Sequence, residues 1–184
     1  MSDVTSLFDT LSALQKNKRL PPVASWHPER VGRIDIRIAS DGTWYHEGEP
    51  IKRLPLVRLF ATVLRHDPDG YCLVTPAEKL LIQVDDAPFA AIAMEAKGEG
   101  AEAELLFTTN VDDHVVVDAE HRLRVDQRNG EPRPYVMARD GLDALINRNV
   151  FYRLVDLARE EQGELVVYSR GARFSLGRID SAQG

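Results

Sequence analysis

The chain has little of what secreted, membrane-bound and nucleic-acid-binding proteins usually show. Its 184 residues include one cysteine, so no disulfide can form within the chain, and a reducing compartment is favoured. The chain has 23 Lys and Arg residues and 29 Asp and Glu residues, and its net charge of -6 argues against general binding to nucleic acid. No N-terminal apolar run has the length of a signal peptide or a membrane span. We therefore expect a cytoplasmic protein that contacts neither nucleic acid nor membrane.

The motifs of several common enzyme classes are also missing. The sequence has no Gly-rich phosphate loop, no paired Cys motif and no Gly-x-Ser-x-Gly nucleophile elbow. Carboxylate and imidazole side chains that are common metal ligands occur close together at Asp112, Asp113, His114 and His121. A solvated turn explains these residues better than a metal site. Cys72 is predicted to be a buried, inert thiol. The sequence predicts no catalytic residue, no metal site and no cofactor.

The stretch from residue 55 to residue 84 predicts a helix followed by a hairpin. The helix has one apolar face and should stop by Asp67, because Pro68 disfavours the helical conformation in the residue before it. Asp67 to Gly70 is a turn, and alternating apolar residues then predict strands at 71–75 and 80–84. The apolar residues of the helical face are Leu56, Leu59, Phe60 and Val63.

The N-terminal part, residues 1–31, is predicted to be an amphipathic helix followed by an extended arm. Val4, Leu7, Phe8, Leu11 and Leu14 give the helix its apolar stripe. Prolines keep residues 20–23 extended and residues 26–28 free of helix, so residues 20–31 are predicted to be an arm laid over the core, with Trp26 as its expected anchor.

Two similar halves are predicted beyond the arm, a first α+β repeat at 32–96 and a second at 97–184. Gly48-Glu49-Pro50 is aligned with Gly130-Glu131-Pro132, and Gly70 with Gly163. Each half then has a strand, a turn, a strand, a helix and a hairpin. The predicted fold class is α+β, with largely antiparallel sheets.

The second half has further predicted elements. Residues 89–94 and 105–108 are expected to be two strands that join the halves, and residues 114–117 and 122–125 to pair with each other. Helical spacing is assigned to residues 142–146 and 150–158, as two helices or one bent helix. A hairpin closes the chain at 165–176.

One polar strand face is the best candidate for ligand binding. Asp35 and Arg37 lie two residues apart on a predicted strand, opposite three isoleucines, and Trp44 and Tyr45 lie on the returning strand. A face with an arginine and an aromatic ring suits a small anionic or planar ligand. A surface ion pair covered by the arm is the alternative.

Short motifs across the chain resemble a bacterial family. They are WHP at 26–28, GRIDIRI at 32–38, DGTW at 41–44, HEGEPI at 46–51, LVRLF at 56–60, YCLVTP at 71–76, TN at 109–110 and VFY at 150–152. The chain is similar in these motifs to the family called domain of unknown function 1285. The resemblance implies an α+β protein of two related halves with a role in signalling, and it supplies no catalytic residue.

The leading hypothesis is a non-catalytic regulatory or ligand-sensing module that self-associates. One alternative is a hydrolase or transferase whose acid and base come from Asp35, Asp85, Asp112 or His114. A second alternative is a protein–protein adaptor that uses the N-terminal helix.

Overall fold

Strands make up most of the structure, a computed structural model that describes Ser6, Leu7, Thr10 and residues 20–179. The chain divides into two units, Met1–Pro88 and Phe89–Gly184. This division falls earlier than the predicted boundary at residue 96. The protein therefore consists of two similar halves in which sheet outweighs helix.

The first unit is built on one six-stranded sheet. Its elements are η1 (Val23–Ser25), β1 (Val31–Ile38), β2 (Trp44–His46), β3 (Glu49–Pro50), α1 (Leu54–Ala61), β4 (Leu64–Asp67), β5 (Gly70–Val74) and β6 (Lys79–Val84). The strand order is β3-β2-β1-β6-β5-β4. The central pair, β1 and β6, is parallel, and the other four pairs of this sheet are antiparallel.

The hydrophobic core of the first unit follows the predicted alternation along β1. Ile36 and Ile38 are almost fully buried, whereas Asp35 is exposed on the opposite face. On the buried face, Trp44 stacks against Phe60 of α1 with ring centroids 6.4 Å apart. The helix therefore covers the isoleucine face.

The helix α1 is shorter than the sequence suggested. It ends at Ala61, where the Thr62 hydroxyl donates to the carbonyl of Leu59, and residues 64–67 form β4 instead of a last helical turn. Leu64 pairs with Leu73, and Arg65 with Cys72. The helix stops before Asp67 as predicted, but the helical positions assigned to Val63 and Arg65 were wrong, because cross-strand pairing outweighs a local helical spacing.

The second unit contains a six-stranded and a three-stranded sheet. Its elements are β7 (Phe89–Lys97), η2 (Gly100–Glu102), β8 (Glu104–Thr109), β9 (His114–Val116), β10 (Leu123–Arg128), β11 (Glu131–Arg139), β12 (Leu142–Ile146), α2 (Arg148–Asp156), β13 (Arg159–Glu161), β14 (Glu164–Ser169) and β15 (Ala172–Arg178). The orders are β10-β11-β12-β7-β8-β9 and β13-β14-β15, and β12 runs parallel to β7.

Residues 142–146 form strand β12 and not the predicted helix. Leu142, Ala144 and Ile146 are buried while Asp143 and Leu145 are partly exposed, which is a period of two. The helical prediction used Leu142, Leu145 and Ile146, a set too short to separate the two periods. The other predicted helix is confirmed as α2, and Arg148 begins it.

Two predicted strand arrangements in this unit are wrong. Strands β9 and β10 do not pair with each other, since β9 pairs with β8 and β10 with β11. They are the two outer strands of the sheet. The hairpin β7–β8, expected to join the halves, lies within the sheet of the second unit.

The two six-stranded sheets have the same topology. Numbering the strands of each sheet from one to six along the chain gives the order 3-2-1-6-5-4 in both, with the first and sixth strands parallel. The hydrogen bond that follows the sixth strand also recurs, from Asp85 N to Ile38 O and from Asn147 N to Ala91 O. The halves are therefore similar as predicted.

The residues that correspond between the two halves differ from the predicted ones. Gly48 lies between the second and third strands of its sheet, whereas Gly130 lies between the fourth and fifth strands. The counterpart of Gly130 is Gly70, which begins the fifth strand of the first sheet. The helix α2 and the three-stranded sheet follow the sixth strand of the second sheet.

A buried serine fastens the three-stranded sheet inside the second unit. Ser169 is fully buried; its hydroxyl donates to Val117 O at 2.6 Å and accepts from Leu105 N at 3.0 Å. Arg170 N also donates to Ala103 O. The end of β14 is thus bonded to strand β8 and to the chain just after β9.

The predicted N-terminal helix lies largely outside the described residues. Ser6, Leu7 and Thr10 are helical, Leu7 is buried, and the Thr10 hydroxyl donates to Ser6 O. Within the described part of the chain, no helix is long and apolar enough to cross a membrane.

Candidate functional site

The polar face of β1 holds a small cluster at the end of the first sheet. Arg37 pairs with Tyr45 across the strands, and its guanidinium lies 4.5 Å from the centre of the Tyr45 ring. Asp85, the residue after β6, accepts from Arg37 Nη1 at 2.6 Å. Three of the four predicted ligand-binding residues therefore share this face, namely Asp35, Arg37 and Tyr45.

Trp44, the fourth predicted residue, lies in the core. It pairs with Ile38, and only 1% of its surface is exposed, so its ring is on the isoleucine face. Successive residues of a strand point to opposite faces, so Trp44 and Tyr45 are separated by the sheet. Trp44 cannot contact a ligand bound beside Arg37.

The positive charge of Arg37 is already matched within the first unit. Asp85 bonds to it, and Gln83 Nε2 lies 3.4 Å from the same carboxylate. The ion pair is partly exposed, with side chains 38% and 33% accessible. An anion binding here would have to compete with Asp85, which weakens this face as an anion site.

A second cluster holds the predicted arm. Arg65 on β4 donates from Nη1 to the carbonyls of Val23 and Trp26, at 2.7 and 2.8 Å. Its other nitrogens make a bidentate pair with Asp67, which also binds Lys79 Nζ at 2.8 Å. Trp26 is partly buried, and the arm is held through the backbone carbonyls of Val23 and Trp26.

The arm cluster shifts two pKa values. The hydrogen bonds from Arg65, followed by those from Lys79, lower the pKa of Asp67 to about 2, against the cost of burial. Burial raises the pKa of the Cys72 thiol to about 11. Cys72 Sγ lies 3.5 Å from Arg65 O. These shifts belong to a structural cluster that holds Arg65 in place.

The acidic and histidine residues meet at most in pairs in the described part of the chain. His66 stacks on Tyr71, with ring centroids 3.9 Å apart, while the neighbouring Asp67 faces Arg65. His114 Nε2 lies 3.8 Å from Asp112, and both side chains are about 60% exposed. Over residues 20–179 and the three described N-terminal positions, no three His, Cys, Asp or Glu side chains cluster as metal ligands do.

The second unit contains a cleft at the end of its six-stranded sheet. The start of β11, the end of β12 and the start of α2 surround a volume of about 430 Å³. Pro134, Ile146 and Phe151 are buried side chains in its lining. This volume is within the range of small-molecule sites, roughly 300–1,000 Å³.

Polar groups stand at the mouth of this cleft, which we call the α2 cleft. Arg148, the first residue of α2, is exposed and has no ionic or hydrogen-bonded partner among the described residues. Tyr152 lies one helical turn further on, with 57% of its surface exposed. Asn147, the N-cap residue, makes no side-chain cap hydrogen bond. A cation and an aromatic ring thus flank an apolar floor.

The sequence analysis missed this cleft. Val150, Phe151 and Leu154 were assigned to the core face of the helix, and all three are buried. Arg148 and Tyr152 have the spacing of a second helical face, which the sequence does show. What it does not show is that the chain reaches α2 directly from a strand end, because β12 was predicted as helix.

The chain was compared with known proteins. The N-terminal domain of DUF1285, a domain of unknown function, matches residues 21–87, and the DUF1285 C-terminal domain matches residues 88–176. A comparison with curated proteins gives no match.

Two solved structures are similar. A DUF1285 family protein from Silicibacter pomeroyi DSS-3 is 43% identical, with a TM-score of 0.89, over 98% of this chain and 97% of that one. A second, from Shewanella baltica OS155, is 24% identical, with a TM-score of 0.52, over 66% of this chain and 90% of that one, and shows the fold alone. The matched residues span both units, and the chain belongs to the DUF1285 family.

Proposed function

We propose that the protein is a non-catalytic regulatory module that senses a small ligand, and that the α2 cleft binds it. The observation that carries this proposal is Arg148, a guanidinium without a described partner at the mouth of a cleft of about 430 Å³ that is lined by both polar and apolar side chains. Arg37, in contrast, already forms an ion pair with Asp85 within the first unit. A pocket with an apolar lining and few polar groups is the usual form of a small-molecule site.

The test is a thermal-shift screen of the full chain against small carboxylates, phosphates, nucleotides and neutral aromatic compounds. A ligand present at 100 times its dissociation constant stabilises the folded state by about 2.7 kcal/mol. The double variant Arg148→Gln/Tyr152→Ala should lose this stabilisation. Arg153→Gln is the matched control, because Arg153 is an exposed arginine of the same helix that does not line the cleft.

Two outcomes would contradict this proposal. One is that no compound in the screen stabilises the protein. The other is that a compound stabilises the double variant as much as the natural protein. Both substitutions are on exposed side chains, so the variants should fold, which far-UV circular dichroism checks.

Self-association and a role in bacterial signalling remain proposals. Leu7 is buried within one chain, so the expectation of self-association rests on the apolar stripe of the N-terminal sequence alone. Light scattering coupled to size exclusion tests self-association, and a strict monomer at micromolar concentration would remove it. The common strand order of the two sheets supports the duplication of one ancestral segment.

The adaptor and enzyme alternatives also remain predictions. Deleting residues 1–19 should abolish capture of a protein partner if the chain is an adaptor, whereas a sensor should keep its small-molecule binding. The enzymatic alternative requires two of its predicted carboxylate or histidine groups to act on one substrate. Hydrolase activity that is lost in Asp112→Asn or His114→Gln would favour it.

A further inference from the structure

The lining of the α2 cleft indicates the shape of its ligand. Ile146, Phe151 and Pro134 form an apolar floor, and the exposed ring of Tyr152 stands beside it. An aromatic side chain that keeps more than half of its surface in water offers a face on which a flat group can stack. The volume of about 430 Å³ leaves room for a small ring system.

The charges at the mouth of the cleft indicate the charge of the ligand. Arg148 contributes a positive charge that has no partner among the described residues, and Glu131 contributes a negative charge. The mouth therefore offers one guanidinium to an anion and places one carboxylate near it. A guanidinium binds a carboxylate through two parallel hydrogen bonds, which suits an acid placed at Arg148.

Glu131 limits how much negative charge the cleft accepts. A second anionic group on the ligand would lie near this exposed carboxylate, and like charges repel. A cleft with this lining discriminates by repulsion as well as by attraction. It favours one negative charge over two.

We propose that the α2 cleft selects a planar aromatic monocarboxylate, with its ring beside Phe151 and Tyr152 and its carboxylate on Arg148. This inference rests on the proposed function, since it names the chemical class of the ligand for that same cleft. It assigns Arg148 to the charge of the ligand and Tyr152 to the ring.

Titration calorimetry with four simple probes tests the assignment. Benzoate supplies a ring with one charge, benzamide a ring of the same shape without charge, and phthalate and phenyl phosphate a ring with a second negative charge. Benzoate should bind at least about tenfold more tightly than benzamide, since a hydrogen bond to a charged group adds roughly 1.5–3 kcal/mol. It should also bind more tightly than phthalate and phenyl phosphate, and rising salt should weaken it.

Single variants separate the roles of the two side chains. Arg148→Gln should bring benzoate to the level of benzamide and leave benzamide unchanged. Tyr152→Ala should weaken both probes by a similar factor, because it removes the ring contact. Arg153→Gln should change neither probe.

The outcomes distinguish this inference from the proposed function. If benzamide or a doubly charged probe binds as tightly as benzoate, and Tyr152→Ala still weakens it, the cleft is a binding site and the ligand class is wrong. If none of the four probes binds while the wider screen yields a compound that depends on Arg148 and Tyr152, the ligand class is again wrong. If every bound compound ignores both substitutions, the proposed function fails as well.

Discussion

The fourth strand of each six-stranded sheet carries an arginine followed two residues later by an aspartate, yet the two pairs differ in burial. In β4, Arg65 Nε lies 2.7 Å from Asp67, and the side chains are 18% and 14% exposed. In β10, Arg124 Nε lies 3.4 Å from Asp126, and the side chains are 47% and 53% exposed. The same spacing on equivalent strands thus gives a well-enclosed pair in one unit and a surface pair in the other.

The neighbours of each pair explain the difference. Arg65 also binds two carbonyls of the arm, so its pair is enclosed. Arg124 binds Asp143 and lies over the ring of Tyr135 at the outer edge of its sheet. A local spacing determines which side chains can meet, and the segment lying over them determines the energy of the contact.

The two helices also differ in the burial of their aromatic residues. The largest change in stability that we predict comes from substituting these residues. Phe60 of α1 is fully buried against Trp44, whereas Tyr152 of α2 is largely exposed. We expect Phe60→Ala to lower the free energy of unfolding of the first unit by about 3–5 kcal/mol. Tyr152→Ala should change the free energy of unfolding by less than about 0.5 kcal/mol, as exposed substitutions do.

Urea denaturation measures this contrast, followed by tryptophan fluorescence for Phe60→Ala and by far-UV circular dichroism for Tyr152→Ala. The chain has two tryptophans, Trp26 and Trp44, and both belong to the first unit. The fluorescence therefore reports on the first unit, and circular dichroism is needed to follow the unit that contains α2. Equal losses in the Phe60 and Tyr152 variants would show that α1 and α2 are packed alike.

The Arg–Asp pairs provide the second prediction. Asp67→Asn should destabilise the first unit by about 2 kcal/mol, because the charged partner of Arg65 and Lys79 is lost from a mostly buried site. Asp126→Asn should cost no more than about 1 kcal/mol, as expected for a surface pair. Urea denaturation of both variants at pH 7 compares them, and a larger loss for Asp126→Asn would reverse the comparison.

The same carboxylate predicts a pH dependence in acid. The folded-state pKa of Asp67 is about 2, below its ordinary value of 3.8, so the ionised form stabilises the fold. This contribution is complete above about pH 4 and is lost as the pH falls towards 2. The difference in unfolding free energy between the natural protein and Asp67→Asn should therefore shrink across that interval, in a urea series followed by fluorescence. A constant difference would mean that the charge of Asp67 is not what stabilises the pair.

Ser169 gives the smallest of these effects and concerns the second unit. Ser169→Ala removes the acceptor of the buried Leu105 N–H and the donor to Val117 O. We expect a loss of roughly 1–2 kcal/mol, measured by far-UV circular dichroism during urea denaturation. Ser175→Ala, on the adjacent strand, is the matched control and should have a smaller effect, because Ser175 is only partly buried. If the two variants lose the same stability, the hydroxyl of Ser169 does not fasten β14.

The sequence predicted strands well where one face is buried and the other is exposed. Ile34, Ile36 and Ile38 in β1 show this alternation, which burial of one sheet face imposes. The prediction failed at Leu142–Ile146, a five-residue segment with four apolar residues that satisfies both periods. Its shortness leaves helix and strand equivalent by periodicity, although the turn residues Asp140 and Gly141 before it favour a strand.

Contacts between distant residues set the other limit. The pairing of β1 with β6, the separation of β9 from β10 and the enclosure of Arg65 by the arm all join parts of the chain far apart in sequence. For the candidate site, the sequence placed Asp35 and Arg37 on one face by strand alternation, but it did not decide between Trp44 and Tyr45 as their aromatic neighbour. It could not place Asp85 beside Arg37, or the α2 cleft, because both depend on the order of the strands.

The parallel pairing of the first and last strands in each sheet has a consequence for synthesis of the chain. While a half is still emerging from the ribosome, its opening strand has no permanent neighbour on one side, and it gains one only when the closing strand has been translated. Such late, long-range closure slows folding compared with nearest-neighbour hairpins. Each six-stranded sheet also takes all of its strands from one half of the chain. A tandem copy of the half can therefore be added to the gene without changing the strand pairing within either sheet.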